Sequence, residues 1–310
     1  MRQAMEQVAV FLAAVSPGLL MLAYGVAKTG IRWSNEALRN AVLAGAVGAI
    51  VPALVSELEN LVPVASSTPL AWAAASAVLF AAIPEQAVKF LILVSAIRRD
   101  VNVRRFQDIV ALALGVSIGF ATFENLLYLV FGSDWRAVAI GRGLLSVPSH
   151  GIDGLIMGAL LTSARLCTHR RRLAYFTAFV VPVIAHAAFD FPPIALRDVF
   201  HPWLVVMWVA VLLLSPVLAI WLCNRALARA AEADRMSGRD LVPPVMGQHL
   251  ILGGCVLLGA APLLGVLLFR LIDVPIVWAG AAVGIFPVAL GIDLIWTGIR
   301  RRKLASAPVP

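Results

Sequence analysis

Long apolar runs divide this chain, each about as long as the hydrocarbon core of a bilayer is thick. A helix needs roughly 20 residues to cross ~30 Å of hydrocarbon. Runs of that kind can be drawn at residues 8–27, 37–56, 69–97, 108–132, 143–165, 173–192, 203–223, 247–269 and 276–297. A membrane β-barrel would instead alternate polar and apolar residues over ~10-residue segments. The unbroken blocks therefore predict an all-α, polytopic integral membrane helical bundle of about nine transmembrane helices. With 61% hydrophobic and only 14% charged residues, the composition is far from that of a soluble domain.

The net charge of +8 would suit a nucleic-acid binder, but the placement of the basic residues argues for topology instead. With the N-terminus outside, clusters at 28–39, 98–105, 165–172, 225–239 and 300–303 all face inward. They hold 19 of the 25 basic residues, leaving five outside and Lys89 within a span. The positive-inside rule then reads N-out, C-in for nine helices. Trp72, Trp135, Trp203 and Trp278 fall near outer boundaries and Trp33 and Trp296 near inner ones, as an aromatic belt would place them. Cys167, Cys223 and Cys255 show no metal-ligand spacing and imply no disulfide framework. The first run lacks a clear cleavage site and reads as a retained helix. The longest loop, about 224–246, leaves no room for a soluble catalytic domain. The expectation is a multi-pass protein of the cell membrane, surrounded by lipid and with no nucleic-acid partner.

Ionisable side chains inside hydrocarbon cost at least ~2.5–3.5 kcal/mol on insertion scales, so they normally face a cavity or a partner. Here they concentrate on four consecutive runs. The third carries Glu85 and Lys89, the fourth Glu124 and Tyr128, the fifth His150 and Asp153, and the sixth His186 and Asp190. The first, second, seventh, eighth and ninth carry almost nothing comparable in their centres. Glu85 with Lys89, Glu124 with Tyr128, and His186 with Asp190 are i,i+4 pairs, so both members of each lie on one helix face. Gly115, Gly119 and Phe123 align on the fourth run and His150, Gly154 and Gly158 on the fifth, with small residues that let membrane helices approach closely. Pro84 removes a helical hydrogen bond and frees a carbonyl that needs a protein or water partner, which predicts a kinked helix beside a hydrated pocket.

These four elements, in this order, resemble the PrsW-type intramembrane proteases, distant relatives of the CAAX prenyl-endopeptidases. The family pattern is Glu-Glu-x-x-Lys, then Phe-Glu-x-x-x-Tyr, then a His with Gly eight residues on, then His-x-x-x-Asp. The second element is complete as Phe123, Glu124 and Tyr128, the third as His150 and Gly158, and the fourth as His186 and Asp190. In the first, Glu85 and Lys89 match, but Gln86 stands where the family has a second glutamate. The resemblance spans about 69–192. It divides the chain into two N-terminal helices (1–67), a PrsW-like catalytic core of four helices (68–202), and three C-terminal helices with a basic tail (203–310).

What the resemblance implies is endoproteolysis of a single-span, membrane-anchored protein, with anti-sigma factors as the best-known substrate class. Peptide hydrolysis needs an activated water, a donor for the oxyanion and an acid for the leaving amine. Glu85, poorly solvated, suits the base; His150 and His186 would orient the water or serve the oxyanion. Glu124 would accept from one of the histidines, Lys89 would hold Glu85 charged or neutralise it, and Asp190 would fix the His186 ring. Gln86, Phe123, Tyr128 and Gly158 would support the site. Two histidines with one carboxylate also match the ligand count of a catalytic Zn²⁺, giving His150, His186 and either Glu85 or Glu124 as ligands. Both versions stay open. Gln86 is expected to replace a hydrogen-bonding glutamate through its carbonyl oxygen. Taken at ~1.5 Å per residue, Glu124, His150 and His186 lie outside the bilayer centre and Glu85 slightly inside it. A proton-coupled transporter and a catalytically silent scaffold remain as alternatives.

Overall fold

A computed structural model describes residues 2–59, 68–99, 103, 105–131, 138–139, 141–239, 248–255, 258 and 276–305, and the regular structure among them is entirely helical. The long helices are α1 (Arg2–Thr29), α2 (Glu36–Glu59), α3 (Pro69–Arg99), α4 (Asp108–Phe131), α5 (Arg142–Leu166), α6 (Arg171–Ala195), α7 (Pro202–Met236) and α8 (Ile276–Ala305). Among the described residues, the six helices α2 to α7 are long and apolar enough to cross a membrane. α1 and α8 coincide with the first and last apolar runs. The run at 247–269 lies mostly outside the described residues.

The hub of the bundle is α4, whose apolar stretch is largely enclosed by protein. It packs against α1, α2, α3 and α5. Small residues allow this: a Cβ on Gly119 would lie 1.9 Å from the carbonyl oxygen of Val42, and one on Gly45 would lie 2.0 Å from that of Val116. The backbones of α2 and α4 thus touch where their glycines cross. On α5, a Cβ on Gly154 would meet Ser117 and one on Gly158 would meet Ala113, so the α5 glycines seat that helix on α4.

Two helices contain wide π turns, and each comes just before a proline. In α3 the π segment is Ser76–Ala82, followed by Pro84; in α5 it is Arg142–Ser146, followed by Pro148. A pyrrolidine ring clashes with the carbonyl four residues back in an α-helix, and a π turn moves that carbonyl one residue along. The expected break at Pro84 is therefore a local widening, and Glu85 and His150 follow the two prolines by one and two residues.

Further along, α7 extends through Met236, where the sequence suggested a loop from 224. The added turns are rich in alanine, a strong helix former, and they carry Asp234 to the start of α4. There its carboxylate accepts from the backbone N–H groups of Phe106 (2.8 Å) and Gln107 (3.3 Å), in the turn just before that helix.

Candidate active site

The polar residues of α3, α4, α5 and α6 meet at one end of the bundle around a cavity of about 850 Å³ lined by Glu85, Glu124, Tyr128, Arg142, His150, His186 and Asp190. Its mouth is charged, with Glu57 and Glu59 from α2 and Arg197 and Asp198 from the end of α6. At the inner wall Glu85, Gln86, Lys89, His150, Asp153 and His186 are all buried. The charge is held among partners, as low-dielectric surroundings require.

Glu85 stands at the centre. Its Oε2 accepts from Lys89 Nζ at 3.1 Å and lies 3.6 Å from both His150 Nδ1 and His186 Nε2. Lys89, fully enclosed, also donates to His150 Nδ1 at 2.9 Å, and its ammonium sits 4.1 Å above the Phe120 ring. His150 turns its other nitrogen to Glu124, donating from Nε2 to Oε2 at 3.0 Å. Glu124 in turn pairs with Arg142 at 2.8 Å, and the Arg142 guanidinium lies 4.0 Å over the Tyr128 ring. His186 is bracketed by acids: Nδ1 donates to Asp153 Oδ2 at 2.8 Å, and Nε2 lies 3.1 Å from Asp190 Oδ2.

The structure thus brings Glu85, Lys89, Glu124, His150, His186 and Asp190 together, although their depths estimated from the sequence did not coincide. Phe123 is half-buried on α4 and does not line the cavity, while Gly158 packs on α4 two turns from His150. Gln86 engages through its amide nitrogen, 3.0 Å from Asp153 Oδ2 and 3.1 Å from His186 Nδ1, and not through its carbonyl oxygen, which is buried without a partner. Two participants were missed. Arg142 belongs to the five basic residues assigned to the outside and carried no other signal. Asp153 stood out as an ionisable residue on α5, and its i,i+3 spacing from His150 was the available clue to a shared face.

Glu85, His150 and His186 offer three ligand atoms that all lie within 4.8 Å of one another. A tetrahedral zinc with bonds of ~2.0–2.2 Å holds its ligand atoms about 3.3–3.5 Å apart, close to the 3.6 Å separations around Glu85. Each histidine already has its other nitrogen on a carboxylate, the usual arrangement behind a metal-bound imidazole. The donor set therefore fits a divalent metal. Lys89 marks the same place with a cation, and a metal there requires Lys89 to release His150 Nδ1.

Fold and site together define a polytopic membrane protein with a buried glutamate–histidine centre opening on a polar cavity. Residues 34–219 match the PrsW family of intramembrane metalloproteases, and the chain belongs to that family. The chain is 33% identical over 128 residues to Protease PrsW of Bacillus subtilis, a stretch covering 40% of this chain and 58% of that relative. Over 175 residues it is 30% identical to Protease PrsW of Geobacillus kaustophilus, covering 56% and 72%. Protease PrsW of Shouchella clausii is 25% identical over 231 residues, covering 71% of this chain and 97% of the relative. No solved structure matches the chain.

Proposed function

We propose that this chain is an intramembrane endopeptidase that hydrolyses a peptide bond of a single-span, membrane-anchored protein, with anti-sigma-factor-like regulators as the substrate class. The observation that carries the reading is Glu85 Oε2 at 3.6 Å from a nitrogen of each histidine, beside a cavity large enough for an extended backbone. In the orientation read from the basic clusters, nine helices cross the cell membrane with the N-terminus outside and the C-terminus inside, and the cavity opens toward the outer face.

In the metal-free version Glu85 takes the proton of the attacking water. His150, oriented by Glu124 and Arg142, and His186, oriented by Asp153, orient that water beside Glu85. The proton held on Glu85 then passes to the leaving amine. In the metal version His150 Nδ1, His186 Nε2 and Glu85 Oε2 would hold a zinc ion, which would supply a Lewis acid and lower the pKa of water there. Lys89 then balances the charge of Glu85, and Asp190, on the cavity side of His186, receives and returns the proton.

The experiment is cleavage of a single-span test substrate by the purified protein in micelles, beside its Glu85→Gln variant. Product from the wild type alone supports the reading, and an inert wild type shifts it to the catalytically silent scaffold. Chelation separates the two versions: activity lost to a chelator and restored by Zn²⁺ selects the metal, whereas full activity in metal-free protein selects the carboxylate-held water. Reporter fusions after residues 62, 135 and 198 should read outside and those after 102, 168 and 235 inside.

A further inference from the structure

Asp153 lies at the junction of three helices. Its Oδ2 accepts from His186 Nδ1 of α6 at 2.8 Å and from Gln86 Nε2 of α3 at 3.0 Å, while Gln86 Nε2 and His186 Nδ1 are 3.1 Å apart. All three residues are buried. An ionised carboxylate only accepts, so Asp153 holds a ring proton on Nδ1, and Nε2 is the nitrogen turned toward Glu85 at 3.6 Å and Asp190 at 3.1 Å. That is the form His186 needs, whether it ligates a metal or works beside Glu85.

The orientation of Gln86 points the same way. Its carbonyl oxygen is buried without a partner, an arrangement that costs free energy and is held because the amide nitrogen faces Asp153. A glutamate at position 86 would set two carboxylates about as close as the present amide and carboxylate, with a single ring N–H between them. The amide at 86 and the acid at 153 are therefore complementary.

We propose that Asp153 is a positioning residue for His186, and that Gln86 and Asp153 form one matched donor–acceptor unit that fixes which nitrogen of His186 faces Glu85. The unit explains in this chain's own terms why glutamine stands where the family pattern has glutamate: the donor that Asp153 requires comes from the amide. The activity arm of the proposal rests on the protease reading; the geometric arm does not.

The test is a swap. Asp153→Asn should be harmful in the wild-type background and beneficial in the Gln86→Glu background, because the double variant restores one carboxylate and one amide around His186 with the two exchanged. Thermal midpoint in detergent and Zn²⁺ affinity are measured on all four proteins, with kcat and KM on the test substrate. Gln86→Glu is expected to lose about 10–100-fold in Zn²⁺ affinity or kcat, the usual range for partners behind a metal ligand, with KM little changed. The double variant should recover most of that loss and of the thermal midpoint. If Gln86→Glu does not accumulate as folded protein, the return of folded protein on adding Asp153→Asn reads the same reversal. An effect of Asp153→Asn that has the same sign in both backgrounds overturns the unit. If none of the four proteins cleaves any substrate, the protease reading falls, and the stability cycle still decides between coupling and independence.

Discussion

Two of the buried polar clusters among the described residues are built on opposite plans. At the Glu85 centre, the key atoms stand 3.6 Å apart, Gln86 keeps an unpaired carbonyl oxygen, and a large cavity reaches the histidines. The second cluster joins α1, α7 and α8. There Lys28 Nζ donates to Asp293 (2.8 Å), Asn224 (2.7 Å) and Thr297 (2.7 Å), and Asp293 also accepts from Tyr24 (2.8 Å) and Asn224 (2.8 Å). Every donor of that ammonium has an acceptor, and both oxygens of the carboxylate are used. Lys89, by contrast, has two hydrogen-bond acceptors and an aromatic face. Saturation marks a cluster that fixes helix positions, while spare valence beside a cavity marks one that binds and reacts. A saturated network in low dielectric gains little from change, whereas an unsaturated one is costly unless something fills it.

The sharpest break in that comparison is Glu85→Gln. It should lower cleavage by about 10²–10⁴-fold, the span of general acid–base catalysis, with the thermal midpoint nearly unmoved. Asp293→Ala should do the reverse. Leaving Lys28 buried without its acid costs about 3–5 kcal/mol, read as a fall in the denaturation midpoint, while the folded fraction keeps its turnover. Smaller is Tyr24→Phe, which removes one donor to a buried carboxylate, worth about 1.5–3 kcal/mol. Smallest is the exchange of the whole cluster, Lys28→Met, Asp293→Leu, Tyr24→Phe, Asn224→Leu and Thr297→Val together. Replacing every member by an apolar group of similar size should leave stability within about 1 kcal/mol of wild type, or raise it. A large loss in that combined variant would mean that the second cluster does more than hold α8.

Most of the Glu85 centre was legible because carboxylates and imidazoles stand out against apolar runs. Each lay well inside a span, and the i,i+4 pairs named the face. Arg142 escaped because it sits at a helix end, where a basic residue ordinarily anchors topology. The second cluster escaped for the same reason. Lys28 lies in the last turn of α1, and Asp293 is a lone acid whose partners come from helices 69 and 269 residues away in sequence. The six helices long and apolar enough to cross a membrane, among the described residues, lie where the apolar runs were drawn, since hydrocarbon thickness leaves little freedom. The extension of α7 was not drawn, because its final turns are amphipathic and earn their helical state by packing Asp234 against α4. The wide turns of α3 and α5 have no composition of their own. The prolines hinted at them, but a proline is equally compatible with a simple kink.

The wide turn of α3 sets the angular phase of everything beyond it. Trp72, Ser76, Phe80 and Glu85 all line the cavity, at steps of four, four and five residues. In an uninterrupted α-helix, advancing about 100° per residue, a step of five swings the last side chain well away from the face shared by the first three. The π segment absorbs about one residue of rotation and returns Glu85 toward that face. Inserting one small residue between Ser76 and Ala82, where the wide turn already absorbs one, would leave the chemistry of α3 untouched and turn its glutamate away from both histidines. Along this stretch the protein is sensitive to residue count more than to residue identity, a constraint of the kind that governs a screw thread.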